Sequence, residues 1–236
     1  MSRRFEELDW QDTRLGPISL RRRIDPVLQV EVYEVKLGDE FLMSSLFTVS
    51  EREMARLGLA GASADRLDVL VGGLGLGYTA VTALEDDRVR SLTVVDALGE
   101  VIGWHQRRLL PEAERLTSDP RTTLVEGDFF ALMRGDTGFD DTVPDRFHAI
   151  LLDIDHTPHH VLHPSHAAFY TVDGLRRPQR HLQPQGVFGL WSDDPPDEDF
   201  VAALAETFPT TRADVVTFAN PLTRGESTAT VYVAGL

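Results

Sequence analysis

The sequence predicts an α/β protein: a mostly parallel sheet with an antiparallel last strand, preceded by a small N-terminal β region. Three observations predict it. From Leu67 onward, short apolar and β-branched runs alternate with helix-forming segments, and such βα repeats imply parallel strands covered on both faces. The first of these runs breaks into a glycine cluster, Gly72, Gly73, Gly75 and Gly77, before the chain reopens as a helix. The last two β-rich runs, 213–218 and 228–233, are separated by a turn that starts at Asn220-Pro221 and ends at Gly225, so they pair antiparallel.

Taken in order, residues 1–48 offer strand-like runs at 18–22, 29–37 and 41–44, with a turn at 37–40 joining the last two, and are expected to form a small β-hairpin region. Ser50 followed by Glu53 fits a capping box at the head of a helix over 51–59. Residues 49–236 then form the main domain. Its strands are expected at 67–71, 92–95, 122–125, 149–152 and 187–190, and its helices at 78–85, 100–109, 129–134, 166–179 and 197–207. A parallel sheet finished by a reversed strand is the Rossmann-like arrangement of the S-adenosylmethionine-dependent methyltransferases.

Composition bounds the function. With 236 residues, 42% hydrophobic and 26% charged, the chain is long enough for one sizeable domain and a small appendage. A net charge of −15 argues against a nucleic-acid partner, which needs a basic excess. The basic clusters Arg21-Arg22-Arg23 and Arg176, Arg177, Arg180 are short and read as solvated faces. No apolar run approaches the ~18 residues of a membrane span, the N-terminus lacks the apolar core of a signal peptide, and the absence of cysteine excludes disulfides and thiolate metal sites. A cytoplasmic protein with no membrane partner is expected.

In a doubly wound sheet, ligand contacts come from loops at the carboxyl ends of the strands. The glycine cluster follows the first strand, where it serves either as a plain turn or as a place for a nucleotide-type ligand to approach backbone. Asp96 closes the second strand, where it can accept hydrogen bonds from ribose hydroxyls. Asp128 closes the third, where it can meet the exocyclic amine of a base with Phe129 beside the ring. Each aspartate also reads as a helix N-cap, but their order favours a nucleoside site. Asp153 and Asp155 follow the fourth strand, either as groups that hold or deprotonate an amine near a sulfonium or as an Asp-x-Asp turn. The histidines 156, 159, 160, 163 and 166 could form a metal site, a gating loop with one substrate-contacting ring, or a polar loop; Pro158 and Pro164 interrupt the helix a metal site would need, and no metal is expected. Trp191, after the fifth strand, faces the acceptor or the adenine or fills the core edge. The acidic stretch Asp193 to Asp199 suits a cationic acceptor or a solvated helix start.

Over roughly Glu31 to Trp191 these residues resemble the spermidine synthase (polyamine aminopropyltransferase) family. The stretches that carry the likeness are Gly72-Gly73-Leu74-Gly75-Leu76-Gly77, Asp96, Gly127-Asp128, Asp153 to Pro158, and Phe169-Tyr170. The resemblance implies that Asp96 binds ribose, Asp128 adenine and Asp153 the acceptor amine as base, that Tyr170 lies at the substrate, and that the chain forms a homodimer. Two positions depart from the family pattern. Gly75 stands where a family aspartate pairs with the amine of decarboxylated S-adenosylmethionine, and His156 stands where a second acceptor aspartate is found. The N-terminal region is also shorter than the family's. The first expectation is therefore methyl transfer from S-adenosylmethionine to a small acceptor, an amine among the candidates. Aminopropyl transfer from the decarboxylated donor to a polyamine is the alternative, and a non-catalytic nucleoside-binding or scaffold protein the third reading. Asp153, Asp155 and His156 are the catalytic candidates.

Overall fold

A computed structural model describes residues 5–139 and 143–236; residues 1–4 of the expected N-terminal region lie outside it. Four strands, β1 (Phe5–Thr13), β2 (Gly16–Ile24), β3 (Glu31–Leu37) and β4 (Glu40–Ser44), form an antiparallel sheet in the order β1-β2-β3-β4. The arginine triplet sits inside this sheet and has specific partners. Register places Glu6 opposite Arg22 and Glu7 opposite Arg21, with carboxylate-to-guanidinium distances of 2.6 and 3.6 Å, and Arg23 reaches Glu34 at 2.7 Å and Asp25 at 2.9 Å. Opposite charges facing across strands stabilise pairing by a few tenths to ~1 kcal/mol each. β1 itself was not expected, because its acidic residues are poor strand formers; the cross-strand arginines supply what local propensity lacks.

The main sheet runs β10-β11-β9-β8-β5-β6-β7. Its strands are β5 (Leu67–Gly72), β6 (Val89–Asp96), β7 (Thr122–Glu126), β8 (Phe147–Leu152), β9 (Leu182–Ser192), β10 (Thr210–Asn220) and β11 (Gly225–Gly235). Strands β5 to β9 pair in parallel, while β11 runs antiparallel to both β9 and β10. Alternate side chains of the central strands feed two cores, as strand pleat requires. Val69, Val71, Ala149 and Leu151 join α1 (Val49–Ala60), α2 (Tyr78–Ala83) and α3 (Gly99–Gln106) on one face, whereas Leu70, Ile150 and Leu152 join α5 (Phe129–Arg134) and α7 (Glu198–Thr207) on the other. Ile18, Leu20 and Val35 of the small sheet belong to the first of these cores, so both sheets are packed as one body.

Several local expectations are corrected. Thr48, not Ser50, precedes the first helical residue of α1, and the Ser50 hydroxyl instead donates to Glu51 Oε2 at 2.9 Å. The helix expected over 166–179 is three short pieces: a 3-10 segment at Pro164–Tyr170, α6 (Val172–Leu175) and a second 3-10 segment at Pro178–His181. Thr171 restarts the chain by accepting from the Gly174 amide at 3.2 Å, and Pro178 stops it. A further helix, α4 (Ala113–Ser118), fills the connection before β7.

One buried contact clamps the small sheet to α3. Asp9 Oδ2 accepts from Trp104 Nε1 at 2.6 Å, Arg107 at 2.5 Å and Gln11 at 2.8 Å. Burial pushes the pKa of Asp9 up, but these donors outweigh it and hold the carboxyl below its ordinary value. Trp104 is fully buried, so Asp9→Ala strands an indole N–H without an acceptor. It is expected to lower unfolding stability in urea by about 1–3 kcal/mol, against little change for Gln11→Ala; equal stability of Asp9→Ala and the parent would contradict the clamp.

Candidate functional site

At the carboxyl end of β5 the chain turns through Gly73–Gly77 into α2. Gly73 has φ +95°, and a Cβ built on it would lie 2.0 Å from the carbonyl oxygen of Asp153, so only glycine lets the ends of β5 and β8 meet. The Gly73 amide donates to the Val95 carbonyl at 2.9 Å and the Asp153 amide to the Gly72 carbonyl at 2.7 Å, which ties three strand ends together. Asp96 braces the loop: Oδ2 accepts from Leu74 N and Oδ1 from Leu98 N, both at 2.9 Å. Burial pushes its carboxyl above the usual value, opposed by these amides. Below the loop, His105 is buried, and that burial pushes its pKa down. Its Nε2 lies 2.9 Å from the Gly75 carbonyl, to which it donates, and its Nδ1 has no partner among the described residues.

Asp128 serves as a helix cap and still faces the site. Its Oδ1 accepts from Phe130 N at 2.9 Å and Ala131 N at 3.1 Å, capping α5, and the residue lines the adjoining cavity. That first cavity, about 410 Å³, is walled by Gly73, Gly75, Asp96, Asp128, Phe129 and Asp153, with Ile18, Val35, Leu42 and Met43 of the small sheet closing the other side. Gly72 lies behind the wall, where a Cβ would be 2.6 Å from the Phe129 ring.

A second cavity, about 350 Å³, adjoins the first. Glu51, Tyr78, Phe47, His156, Trp191 and Phe218 line it, and Gly77 borders it. The Trp191 indole N–H is buried without an acceptor among the described residues. Met43, Gly75, Asp153 and Ile154 belong to both cavities, so Asp153 stands at their junction. Thr79 Oγ1 donates to Asp153 Oδ2 at 2.6 Å, yet burial dominates and raises the Asp153 carboxyl to about 6. Glu51 is raised to about 7 by burial and by the Asp153 charge. Glu51 was not expected here. In sequence it is one acidic residue among several in a first helical turn, and nothing in its spacing marks it.

The aspartates of Asp153-x-Asp155 part company. Asp155 is buried outside both cavity walls and accepts from Tyr170 Oη at 2.7 Å, Leu162 N at 2.7 Å and His166 Nδ1 at 2.9 Å. Tyr170 is likewise buried, with its hydroxyl engaged by Asp155 and not exposed to either cavity. Neither reaches a cavity where contact with substrate was expected, because Asp155 is the shared internal acceptor for the Leu162 amide, the Tyr170 hydroxyl and the His166 ring. The histidines disperse: His156 and His160 lie 3.3 and 3.6 Å from Glu40 of β4, His159 pairs with Asp197 at 2.6 Å, and His163 and His166 border the first cavity. Among the described residues no group of three or more His, Asp or Glu is arranged to hold a metal ion.

A pH signature follows from the raised carboxyls. A group held above its unfolded value stabilises the fold while protonated, and that contribution is lost as pH rises through the folded value. Glu51→Gln and Asp153→Asn are therefore expected to match the parent in urea stability below about pH 4 and to exceed it by a margin that grows as pH rises to the folded values of about 7 for Glu51 and about 6 for Asp153, levelling off above them. Parallel stability curves across that range would contradict the burial of the pair.

No family model matches the sequence, and no curated protein matches it either. Solved structures do. The spermidine synthase of Thermotoga maritima superimposes with TM-score 0.71 at 17% identity over 97% of this chain and 72% of its own. A spermidine synthase in complex with the transition state analogue AdoDATO gives 0.73 at 18% identity over 97% and 73%. Human methyltransferase-like protein 13 in complex with SAH gives 0.57 at 18% identity over 79% and 82%. No helix among the described residues is long and apolar enough to cross a membrane. At these identities the kinship is one of architecture, and the chain has the α/β fold that spermidine synthases share with S-adenosylmethionine-dependent methyltransferases.

Proposed function

We propose that the protein is a transferase that takes a methyl group from S-adenosylmethionine and places it on a small acceptor, an amine being the chemistry best suited to the second cavity. The observation that carries this reading is the meeting of two cavities at Asp153, Gly75 and Met43. A nucleoside donor in the first cavity, with ribose toward Asp96 and base toward Asp128, brings its sulfonium to that junction. An acceptor in the second cavity lies between aromatic walls with Glu51 and Asp153 at one end. Aromatic faces and carboxylates both favour a cation. The acceptor ammonium gives a proton to Asp153; the nitrogen lone pair then attacks the methyl carbon as the carbon–sulfur bond breaks and its electron pair returns to sulfur. In-line positioning supplies most of the rate, with the carboxylate removing the proton.

Methyl transfer is preferred over aminopropyl transfer because of what stands at Gly75. A Cβ there would lie 2.6 Å from Met43 Sδ, so the thioether occupies the space next to the loop where an anionic side chain would otherwise extend. An aminopropyl ammonium would be left beside sulfur with no carboxylate of the loop to pair with, an arrangement that costs several kcal/mol. Aminopropyl transfer remains the second reading, favoured by the Glu51–Asp153 pair, which suits a diamine.

Calorimetric titration with both donors is expected to show tighter binding of S-adenosylmethionine, and Asp153→Ala is expected to retain that binding within a few-fold while turnover falls at least ~10²-fold. A tenfold preference for decarboxylated S-adenosylmethionine would overturn the methyl assignment in favour of the aminopropyl one. Binding of neither donor, nor of 5′-methylthioadenosine, would overturn both.

A further inference from the structure

We propose that His166 is a specificity-determining residue of the first cavity: its Nε2 accepts a hydrogen bond from the exocyclic amine of the bound purine, so the cavity takes 6-amino purine nucleosides and rejects their 6-oxo counterparts. This rests on the reading of that cavity as a nucleoside site.

The tautomer follows from the neighbours. Asp155 is buried with 2% exposure, and its carboxylate oxygens serve as acceptors for the groups around them. The Leu162 amide and the Tyr170 hydroxyl both donate to it at 2.7 Å. His166 Nδ1 lies 2.9 Å from Oδ1 and 3.2 Å from Oδ2 of the same carboxylate, so Nδ1 carries the ring proton. In the neutral imidazole Nε2 is then an acceptor. The ring is also fixed in plane, stacked on Phe130 at 3.9 Å between centroids with 26° between planes. A flip would break the Asp155 contact and keep only the stack.

The chemistry of the surrounding wall agrees. His166 lines the cavity with Asp128, Phe129, Phe130 and Ser165, and Nε2 makes no hydrogen bond within the described residues. Asp128 uses Oδ1 for its helix cap, and its second oxygen adds another acceptor. Ser165 is turned toward His163: its amide donates to His163 Nδ1 at 3.3 Å and its hydroxyl oxygen lies 2.7 Å from the same nitrogen. An exocyclic amine brings two N–H groups to such a wall, and both can be satisfied. A 6-oxo group brings lone pairs against lone pairs, and mismatched buried polar groups are the strongest basis for discrimination between ligands of similar shape.

The test is calorimetric titration with S-adenosylhomocysteine and its deaminated counterpart, S-inosylhomocysteine. The parent is expected to prefer the adenosyl ligand by more than tenfold. His166→Phe keeps the stack on Phe130 but cannot accept, and is expected to weaken adenosyl binding about tenfold while leaving inosyl binding within twofold. Equal losses for both ligands, or no loss for either, would overturn the assignment and leave His166 as a strut for the loop. Should His166→Phe fail to unfold cooperatively, the nitrogen-15 resonance of His166 Nε2 in the parent replaces it: a shift on saturation with S-adenosylhomocysteine is expected, and an unmoved resonance overturns the proposal. Binding of both nucleosides with equal affinity by the parent sinks the His166 role alone, whereas binding of neither sinks the nucleoside site with it.

Discussion

The grip of one half-buried carboxylate on a glycine loop underlies everything at the carboxyl edge of the sheet. Asp96 closes β6, receives the Leu74 amide from the loop after β5 and the Leu98 amide ahead of α3, and so holds the two strand ends in one geometry. The neighbouring strand, β8, approaches so closely that its Asp153 carbonyl would collide with any side chain at Gly73. Because those ends are fixed, Asp153 projects to a constant point. The two cavities can therefore share a wall only a few residues wide. Burial raises the Asp96 carboxyl and the donated amides counter it, a balance in which the loop and the carboxylate depend on each other.

The small sheet completes what the main sheet begins. Its apolar face enters the same core as α3, and Asp9 secures it through the indole of Trp104. From that platform the β3–β4 hairpin reaches over the glycine loop and sets Met43 against Gly75, while Glu40 at the start of β4 meets His156 and His160. A short appendage thus roofs both cavities and places a single thioether beside Gly75 where they meet. Opposite the roof, Asp155 gathers Tyr170, Leu162 and His166 into one network that shapes the rim of the first cavity.

What the sequence made legible was whatever depends on local order. The strand-glycine-helix passage, the aspartates at the ends of β6 and β7, and the reversal at Asn220 to Gly225 are written in consecutive residues, and each occupies the expected place in the fold. The expected segment 129–134 coincides with α5 because its cap, Asp128, directly precedes it. Features set by distant contacts were not legible. β1 exists through arginines across the sheet, Glu51 matters through burial beside a residue 102 positions later in the chain, and Asp155 turns inward because His166 and Tyr170 close over it. The long helix expected over 166–179 fails for a packing reason: a Cβ at Gly174 would lie 2.2 Å from the Ala168 carbonyl, so the chain folds back on itself at that point.

A crystal structure of the protein with S-adenosylhomocysteine bound would test the central claim, that the donor lies in the first cavity with its sulfur at the junction of the two. The ribose is expected in hydrogen-bond contact with Asp96, the base beside Asp128 and Phe129, and the sulfur between Met43 and Asp153, facing the second cavity. A nucleoside bound in the second cavity, or one in the first cavity with its sulfur directed away from Asp153, would contradict it.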